Sequence, residues 1–226
     1  GMISDYGSVP SLENCTFTNN TADDDGGGMY CWDSSLTLSD CTFKDNTAGN
    51  DGGGMFCKSS LPEISDSSFF NNLAVNNGGG IAFTESSSPT IANNLFSGNQ
   101  SSNDGGGMSF ENCPSVLLTQ CTIYNNSSTA SGGGAWFINS SGVVLSSIVW
   151  GNSSPGEPQI STGSTGNNIT VSFCTVQGGY GSNISSDPLF IDPTNQNFFL
   201  SHVATGQNAD SPCIDAGDPA TALFGT

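Results

Sequence analysis

The sequence predicts an all-β fold, a parallel β-solenoid of about seven coils with 26–27 residues in each coil. Three observations support this prediction. A glycine triplet recurs five times, at steps of 26, 26, 27 and 27 residues. A second motif, which ends in asparagine, keeps the same step. Apolar residues alternate over short stretches and nowhere hold the 3.6-residue period of a helix, so each unit has the size and pattern of one solenoid coil.

Each coil begins at a glycine triplet, and the triplets start at Gly26, Gly52, Gly78, Gly105 and Gly132. Taken alone, "DDDGGGMYC" at 23–31 suggests a phosphate-binding loop. No lysine and no helical pattern follows the glycines, as such a loop requires. The repetition instead predicts a bend in the backbone, where φ is positive or where no side chain fits.

Short strands follow the glycines, and their equivalent residues should stack about 4.8 Å apart. The predicted interior columns are Met29, Met55, Ile81, Met108 and Ala135; Cys31, Cys57, Phe83, Phe110 and Phe137; and Phe17, Phe43, Phe69, Phe96 and Ile123. A polar column consists of Asn20, Asn46, Asn72, Asn99, Asn126 and Asn152. Stacked identical amides can each donate to the next one, so this ladder tolerates burial.

The coils are predicted to occupy residues 1–183, and residues 184–226 are predicted to form an irregular C-terminal cap of the same domain. The cap has many Asp-Pro and Gly breaks. Residue 5 onward already resembles the middle of a coil, so we expect the β-helix to continue in a longer parent chain.

The pairing of "GGG(M/I/A)" with "FTNN", "FKDN", "FFNN" and "FSGN" resembles the repeats of polymorphic outer-membrane proteins and related right-handed parallel β-helix surface proteins. The later stretches "IVWGNSSPGEPQI", "SDPLFIDP" and "SPCIDAGDP" resemble the C-terminal part of bacterial secreted β-helix proteins with a choice-of-anchor tail. The resemblance covers nearly the whole chain. It implies a right-handed coil, a secreted or cell-surface location and an adhesive role, with a glycan or a cell-surface protein as the partner.

The charge balance excludes one class of partner. The 226 residues include 20 acidic side chains, two lysines and no arginine, and the formal net charge is −18. Nucleic-acid binding needs a basic footprint, which this chain does not have. No run of about 18 apolar residues is present, so no transmembrane segment is predicted.

Acidic residues precede the glycines at a matched position and suggest a metal site. The candidates are Asp24, Asp25, Asp51 and Asp104. Neighbouring carboxylates repel each other, and Ca²⁺ accepts carboxylates and carbonyls in loose geometry. The alternative is a solvated rim in which Asp serves as a turn former. No cofactor is required by the sequence, and Ca²⁺ is the one candidate.

Outward-facing aromatic residues suggest a binding surface. Tyr30 and Trp136 fall in one outward column and Tyr124 in another, and exposed rings of this kind can stack on sugars. The alternative is that the tail or long loops cover them.

Catalysis is not predicted, and no catalytic residue is assigned. A β-helix polysaccharide lyase uses a basic residue beside Ca²⁺, but Lys44 and Lys58 lie on different strands. His202 lies in the tail. The sequence therefore predicts a non-catalytic structural or adhesive module. The alternative is a fragment of a β-helix lyase or glycosidase whose catalytic coils are absent or degenerate.

The eight cysteines leave two readings open. Cys15 and Cys41 share a column, as do Cys31 and Cys57, at a spacing that a disulfide tolerates but with parallel side chains. They are either bridged or stacked as buried free thiols. Cys113 and Cys213, in Pro-flanked segments, are either surface thiols or partners of cysteines outside this sequence.

Overall fold

The computed structural model describes residues 1–163, 166–214 and 216. The chain forms a parallel β-solenoid, in which three sheets have seven strands each and a fourth sheet has five. Seven stacked strands are separated by six turns of the chain. The described residues contain no α-helix, and the predicted all-β solenoid is confirmed.

Each coil contributes one strand to each of sheets A, B and C, and the first five coils also contribute one strand to sheet D. Sheet A contains Met2–Asp5, Met29–Trp32, Met55–Lys58, Ile81–Thr84, Met108–Glu111, Ala135–Ile138 and Ile160–Ser161. Sheet B contains Ser11–Glu13, Thr37–Ser39, Glu63–Ser65, Thr90–Ala92, Val116–Thr119, Ser141–Leu145 and Asn168–Ser172. Sheet C contains Thr16–Thr18, Thr42–Lys44, Ser68–Phe70, Leu95–Ser97, Thr122–Tyr124, Ile148–Trp150 and Thr175–Val176. Sheet D contains Thr21–Ala22, Thr47–Ala48, Leu73–Ala74, Gln100–Ser101 and Ser127–Ser128.

The register follows the sequence repeat. Phe43 pairs with Phe69, and Phe69 pairs with Phe96. Their rings stack inside the coil with centroids 4.7 Å apart in both pairs. Because the strands are short and their inward residues stack on those of the next coil, neighbouring coils bury each other's apolar side chains.

The first and second glycines of a triplet have different roles. Gly52 has φ +68°, a conformation that residues with a side chain rarely adopt. A Cβ on Gly53 would instead meet the backbone of Leu73 and the carbonyl oxygen of Gly79. The first glycine therefore permits the bend, and the second lets neighbouring coils approach closely.

An antiparallel hairpin follows the coils. It consists of Phe190–Asp192 and Asn197–Leu200, joined by the 3₁₀ turn Pro193–Asn195, and a second 3₁₀ turn spans Val203–Thr205. The last strand of the parallel sheets ends at Val176. The predicted cap, residues 184–226, includes residues 215 and 217–226, which lie outside the described residues.

Candidate functional site

An asparagine ladder runs along the turn between sheets C and D. The backbone N–H and Nδ2 of Asn72 donate to Oδ1 of Asn99 in the next coil, at 3.0 and 2.9 Å. The Nδ2 of Asn99 also donates to the carbonyl oxygen of Phe69, at 2.9 Å. Both asparagines are completely buried. The same pattern relates the six asparagines of the predicted column, so each buried amide is satisfied by its neighbours.

Two glutamines end this ladder, and sequence reasoning missed both. The Nδ2 of Asn152 donates to Oε1 of Gln159 at 2.9 Å. The Nε2 of Gln159 donates to Oε1 of Gln177 at 3.2 Å. Neither glutamine occupies the asparagine position of the repeat, so the spacing of the repeat did not predict them.

A second kind of ladder was also missed. In the turn between sheets A and B, the backbone N–H of Ser34 donates to Oγ of Ser60, and that of Ser60 donates to Oγ of Ser87, both at 3.2 Å. In the turn between sheets B and C, the N–H of Ser67 donates to Oδ1 of Asn94 at 2.8 Å. The recurrence of small polar residues at these positions was the available signal.

The acidic residues before the glycines form a ladder that runs in the opposite direction. Oδ1 of Asp25 accepts from the N–H of Asp51 at 3.1 Å, and Oδ1 of Asp51 accepts from the N–H of Asn77 at 2.8 Å. Oδ1 of Asp104 accepts from the N–H of Ser131 at 2.8 Å. These three carboxylates therefore satisfy backbone donors of the following coil.

The predicted metal residues do not form a metal cluster. Asp24 is exposed beside the half-buried Asp25, while Asp51 and Asp104 follow in later coils. Within the described residues, no group of three or more His, Cys, Asp or Glu side chains is arranged to hold a metal ion. Ca²⁺ prefers about six to eight oxygen ligands. The calcium site stays a prediction, without a preformed cluster.

Burial perturbs the acidic ladder. It raises the pKa of Asp51 to about 6, against the hydrogen bond from Asn77 and with the nearby charge of Asp25. Burial also raises the pKa of Asp25 and of Asp104. Asn77 occupies the equivalent position in the next coil, and its Oδ1 accepts from the N–H of Asp104 at 3.1 Å. An amide at this position can therefore accept the same backbone hydrogen bond without carrying a charge.

We expect Asp51→Asn to stabilise the protein in a pH-dependent way. The folded pKa lies above the unfolded value of 3.8, so stability attributable to Asp51 is present below about pH 4 and is lost as pH rises to about 6. The difference in free energy of unfolding between the variant and wild type should grow by about 1 kcal/mol from pH 4 to pH 6. This is less than the full pKa shift of Asp51 implies, because the carboxyl is partly solvated. Urea denaturation between pH 4 and pH 7 measures it.

Asp192→Asn is the control, because the pKa of Asp192 is shifted in the opposite direction from that of Asp51. Hydrogen bonds from Asn195 and Thr194 lower the pKa of Asp192, so this substitution should not stabilise the protein at neutral pH. A constant difference between Asp51→Asn and wild type from pH 4 to pH 7 would contradict the assignment.

The predicted aromatic residues do not share one surface. Tyr30 stacks on Phe56 with ring centroids 5.4 Å apart. Trp136 lies four coils beyond Tyr30 in the same column, and the intervening Ala82 and Ser109 carry no ring. The hairpin packs on Tyr124, whose ring lies 5.7 Å from Phe190 and 5.3 Å from Phe198. Tyr124 is half-buried against this non-repeating segment, and the aromatic platform stays a prediction.

A further aromatic group was missed by sequence reasoning. On the outer face of sheet A, the rings of Tyr6 and Trp32 lie 4.8 Å apart. Nζ of Lys58 lies 5.9 Å from the centre of the Trp32 ring and 2.9 Å from a carboxylate oxygen of Glu85. Equivalent positions in later coils carry no aromatic residue, so the repeat did not indicate this cluster.

Comparison with known proteins decides the family. A family described as "Right handed beta helix region" matches residues 1–176. The chain belongs to the right-handed β-helix family. The match spans the parallel coils and ends where the last strand of sheet C ends. No curated protein and no solved structure gives a significant match.

The thiols of this β-helix are free. All eight cysteines are unbridged, and Cys31 pairs in register with Cys57 as a buried stack. Cys113 is fully buried, not a surface thiol as its flanking proline suggested, and burial raises its pKa to about 12. Buried thiols of this kind behave as small apolar side chains.

The lysines of the β-helix are both paired with acids. Nζ of Lys44 lies 3.9 Å from Asp45. Nζ of Lys58 lies 2.9 Å from Oε1 of Glu85, and the hydrogen bond with Glu85 raises the pKa of Lys58. Within the described residues, no helix is long and apolar enough to cross a membrane.

Proposed function

We propose that this β-helix is a non-catalytic extracellular module with a structural and adhesive role. The observation that carries the proposal is that polar side chains of the coils form hydrogen bonds with neighbouring coils. Asparagine, serine and aspartate ladders all satisfy groups of neighbouring coils. A stack of self-satisfied coils is suited to a rod that holds a binding surface away from its point of attachment.

The location is part of the same proposal. The GGG and FxxN repeats resemble those of polymorphic outer-membrane proteins, and the tail resembles a bacterial choice-of-anchor region. Both resemblances support display on a bacterial surface. The strongly acidic composition supports a soluble, extended module rather than one that adheres to nucleic acid.

The arrangement of basic residues favours adhesion over polysaccharide cleavage. A lyase needs a base that can accept a proton from the sugar, and Lys58 is held protonated by Glu85. Lys44 lies on sheet C, away from Lys58 on sheet A, and pairs with the adjacent Asp45. The acids that recur near the glycines accept backbone N–H groups, which supports a structural role for them.

The test is a surface-binding experiment with a chemical readout. Beads that carry the protein should bind to a glycan array or to cell surfaces. The protein should leave polygalacturonate and alginate uncleaved. Ultraviolet absorbance of unsaturated sugar ends measures cleavage, and Trp136→Ala tests whether that ring contributes to adhesion. Unsaturated products that disappear in Lys58→Ala or Lys44→Ala would establish the enzyme alternative and overturn the proposal.

A further inference from the structure

The antiparallel hairpin packs on the outer face of sheet C. The rings of Phe190 and Phe198, one from each strand of the hairpin, meet the Tyr124 ring edge-on, with centroids 5.7 and 5.3 Å away. The two hairpin rings also contact each other, with centroids 5.3 Å apart. A Cβ on Gly151 would lie 3.2 Å from Cε2 of Tyr124. The Tyr124 ring therefore lies between the backbone of the next coil and the hairpin.

The hairpin depends on these rings for its position on the coils. Among the described residues, its two strands pair only with each other. No residue from Phe190 to Leu200 is fully buried, whereas Phe69 and Phe96 inside the coils are completely buried. An isolated two-stranded hairpin is at best marginally stable in water. Side-chain contacts such as those with Tyr124 must therefore hold the hairpin in place.

The segment around the hairpin is bonded mainly to itself. The backbone N–H of Ser201 donates to the carbonyl oxygen of Leu189 at 2.9 Å, and that of Ser211 donates to the carbonyl oxygen of Ser201 at 2.8 Å. Its contact with the last coil is a side-chain hydrogen bond of 3.0 Å between Oγ1 of Thr175 and Sγ of Cys213. The segment can leave sheet C without breaking its own backbone bonds.

The coils beneath the hairpin are held by a different set of contacts. The backbone N–H of Thr122 donates to the carbonyl oxygen of Asn94 in the preceding coil at 2.9 Å. Ile123, next to Tyr124 on the same strand, points inward and is completely buried. The amide of Asn126 belongs to the asparagine ladder. Because these contacts do not involve the hairpin, hairpin opening and coil unfolding have separate free energies.

We propose that the hairpin is a cover that opens as a unit from sheet C while the coils stay folded. In the closed state, Phe190 and Phe198 mask the ring of Tyr124. Opening uncovers Tyr124 beside Trp150, its register partner in the next coil, so that neighbouring outward rings become available to a binding partner. This inference rests on the proposed adhesive function and adds a means of regulating it.

Native-state hydrogen exchange on the full chain measures the opening. The N–H groups of Ser201 and Thr122 are matched probes, since each donates a backbone hydrogen bond of 2.9 Å, the first within the tail and the second between coils. Relative to the rates of an unfolded peptide, Ser201 should exchange at least about 100-fold faster than Thr122. Equal protection of the two amides would mean that the hairpin and the coils open together, and would overturn the inference.

Substitutions at two adjacent phenylalanines locate the contact. Phe198 is half-buried against Tyr124, whereas Phe199, on the opposite face of the same strand, is 76% exposed. Phe198→Ser should speed exchange at Ser201 about tenfold, because only the closed state loses ring burial. Phe199→Ser should change it by less than about twofold. Faster exchange at Thr122 in Phe198→Ser would show that the hairpin stabilises the coils, and would overturn the inference.

A double-mutant cycle connects the opening to Tyr124. Tyr124→Ala should itself speed exchange at Ser201, and Phe198→Ser should then add less than about twofold, because the shared contact is already gone. Effects that simply multiply would mean that the hairpin is held elsewhere, and that Tyr124 is not what it masks. Adhesion is not measured in this experiment, so a negative result here is distinguishable from a negative bead assay.

Discussion

Gly79→Ala should destabilise the protein by at least about 3 kcal/mol, because no space exists for a methyl group at this position. A Cβ on Gly79 would meet the carbonyl oxygens of Gln100 and Gly106, well under 3.0 Å away. Both atoms belong to the main chain of neighbouring strands and turns. They cannot move without disturbing the contacts between coils, so the strain cannot relax through a side-chain rotation. Urea denaturation measures the loss.

Gly7→Asn provides the control for glycine substitution itself. Gly7 has φ +73° and no atom within 4 Å of a built Cβ. Asparagine tolerates the left-handed region, as Asn19 and Asn71 do in this chain. This variant should stay within about 0.5 kcal/mol of wild type. If Gly79→Ala were equally mild, the close approach of the coils at the glycine column would be wrong.

Asn99→Leu should remove about 3–5 kcal/mol from the free energy of unfolding, because it leaves buried donors and acceptors without partners. Oδ1 of Asn99 accepts two hydrogen bonds from Asn72, and its Nδ2 donates to Phe69 and Asn126. Leucine is similar in size and replaces none of these bonds. Hydrogen exchange should show the largest loss of protection in the coils on either side of residue 99, since each coil contacts only its neighbours.

Gln100→Leu is the matched control for this ladder variant. Gln100 is exposed, and its register partner in the preceding coil is Leu73. Leucine is therefore compatible with the position, and the change should be within about 0.5 kcal/mol. A similar loss in both variants would assign the effect to added apolar surface rather than to the amide ladder.

The repeat period determined most of the fold. A step of 26–27 residues places Phe43 against Phe69 and Asn72 against Asn99, because in a parallel solenoid the sequence step and the strand register are the same quantity. The glycine bends and the lack of α-helix across the described part of the chain follow from the same pattern. Composition alone predicted that nucleic acid is not the partner, since charge does not depend on folding.

Tertiary structure decided everything that the repeat does not encode. The orientation of the turn, which sequence alone does not show, directs Oδ1 of Asp25 and of Asp51 to a backbone N–H of the following coil. Tyr124 is half-buried because the hairpin, which lies outside the repeat, packs against its ring. Trp32 and Lys58 meet because register pairs two unlike residues. A periodic sequence specifies which residues stack, whereas the contacts of each surface depend on non-repeating segments and on side-chain direction.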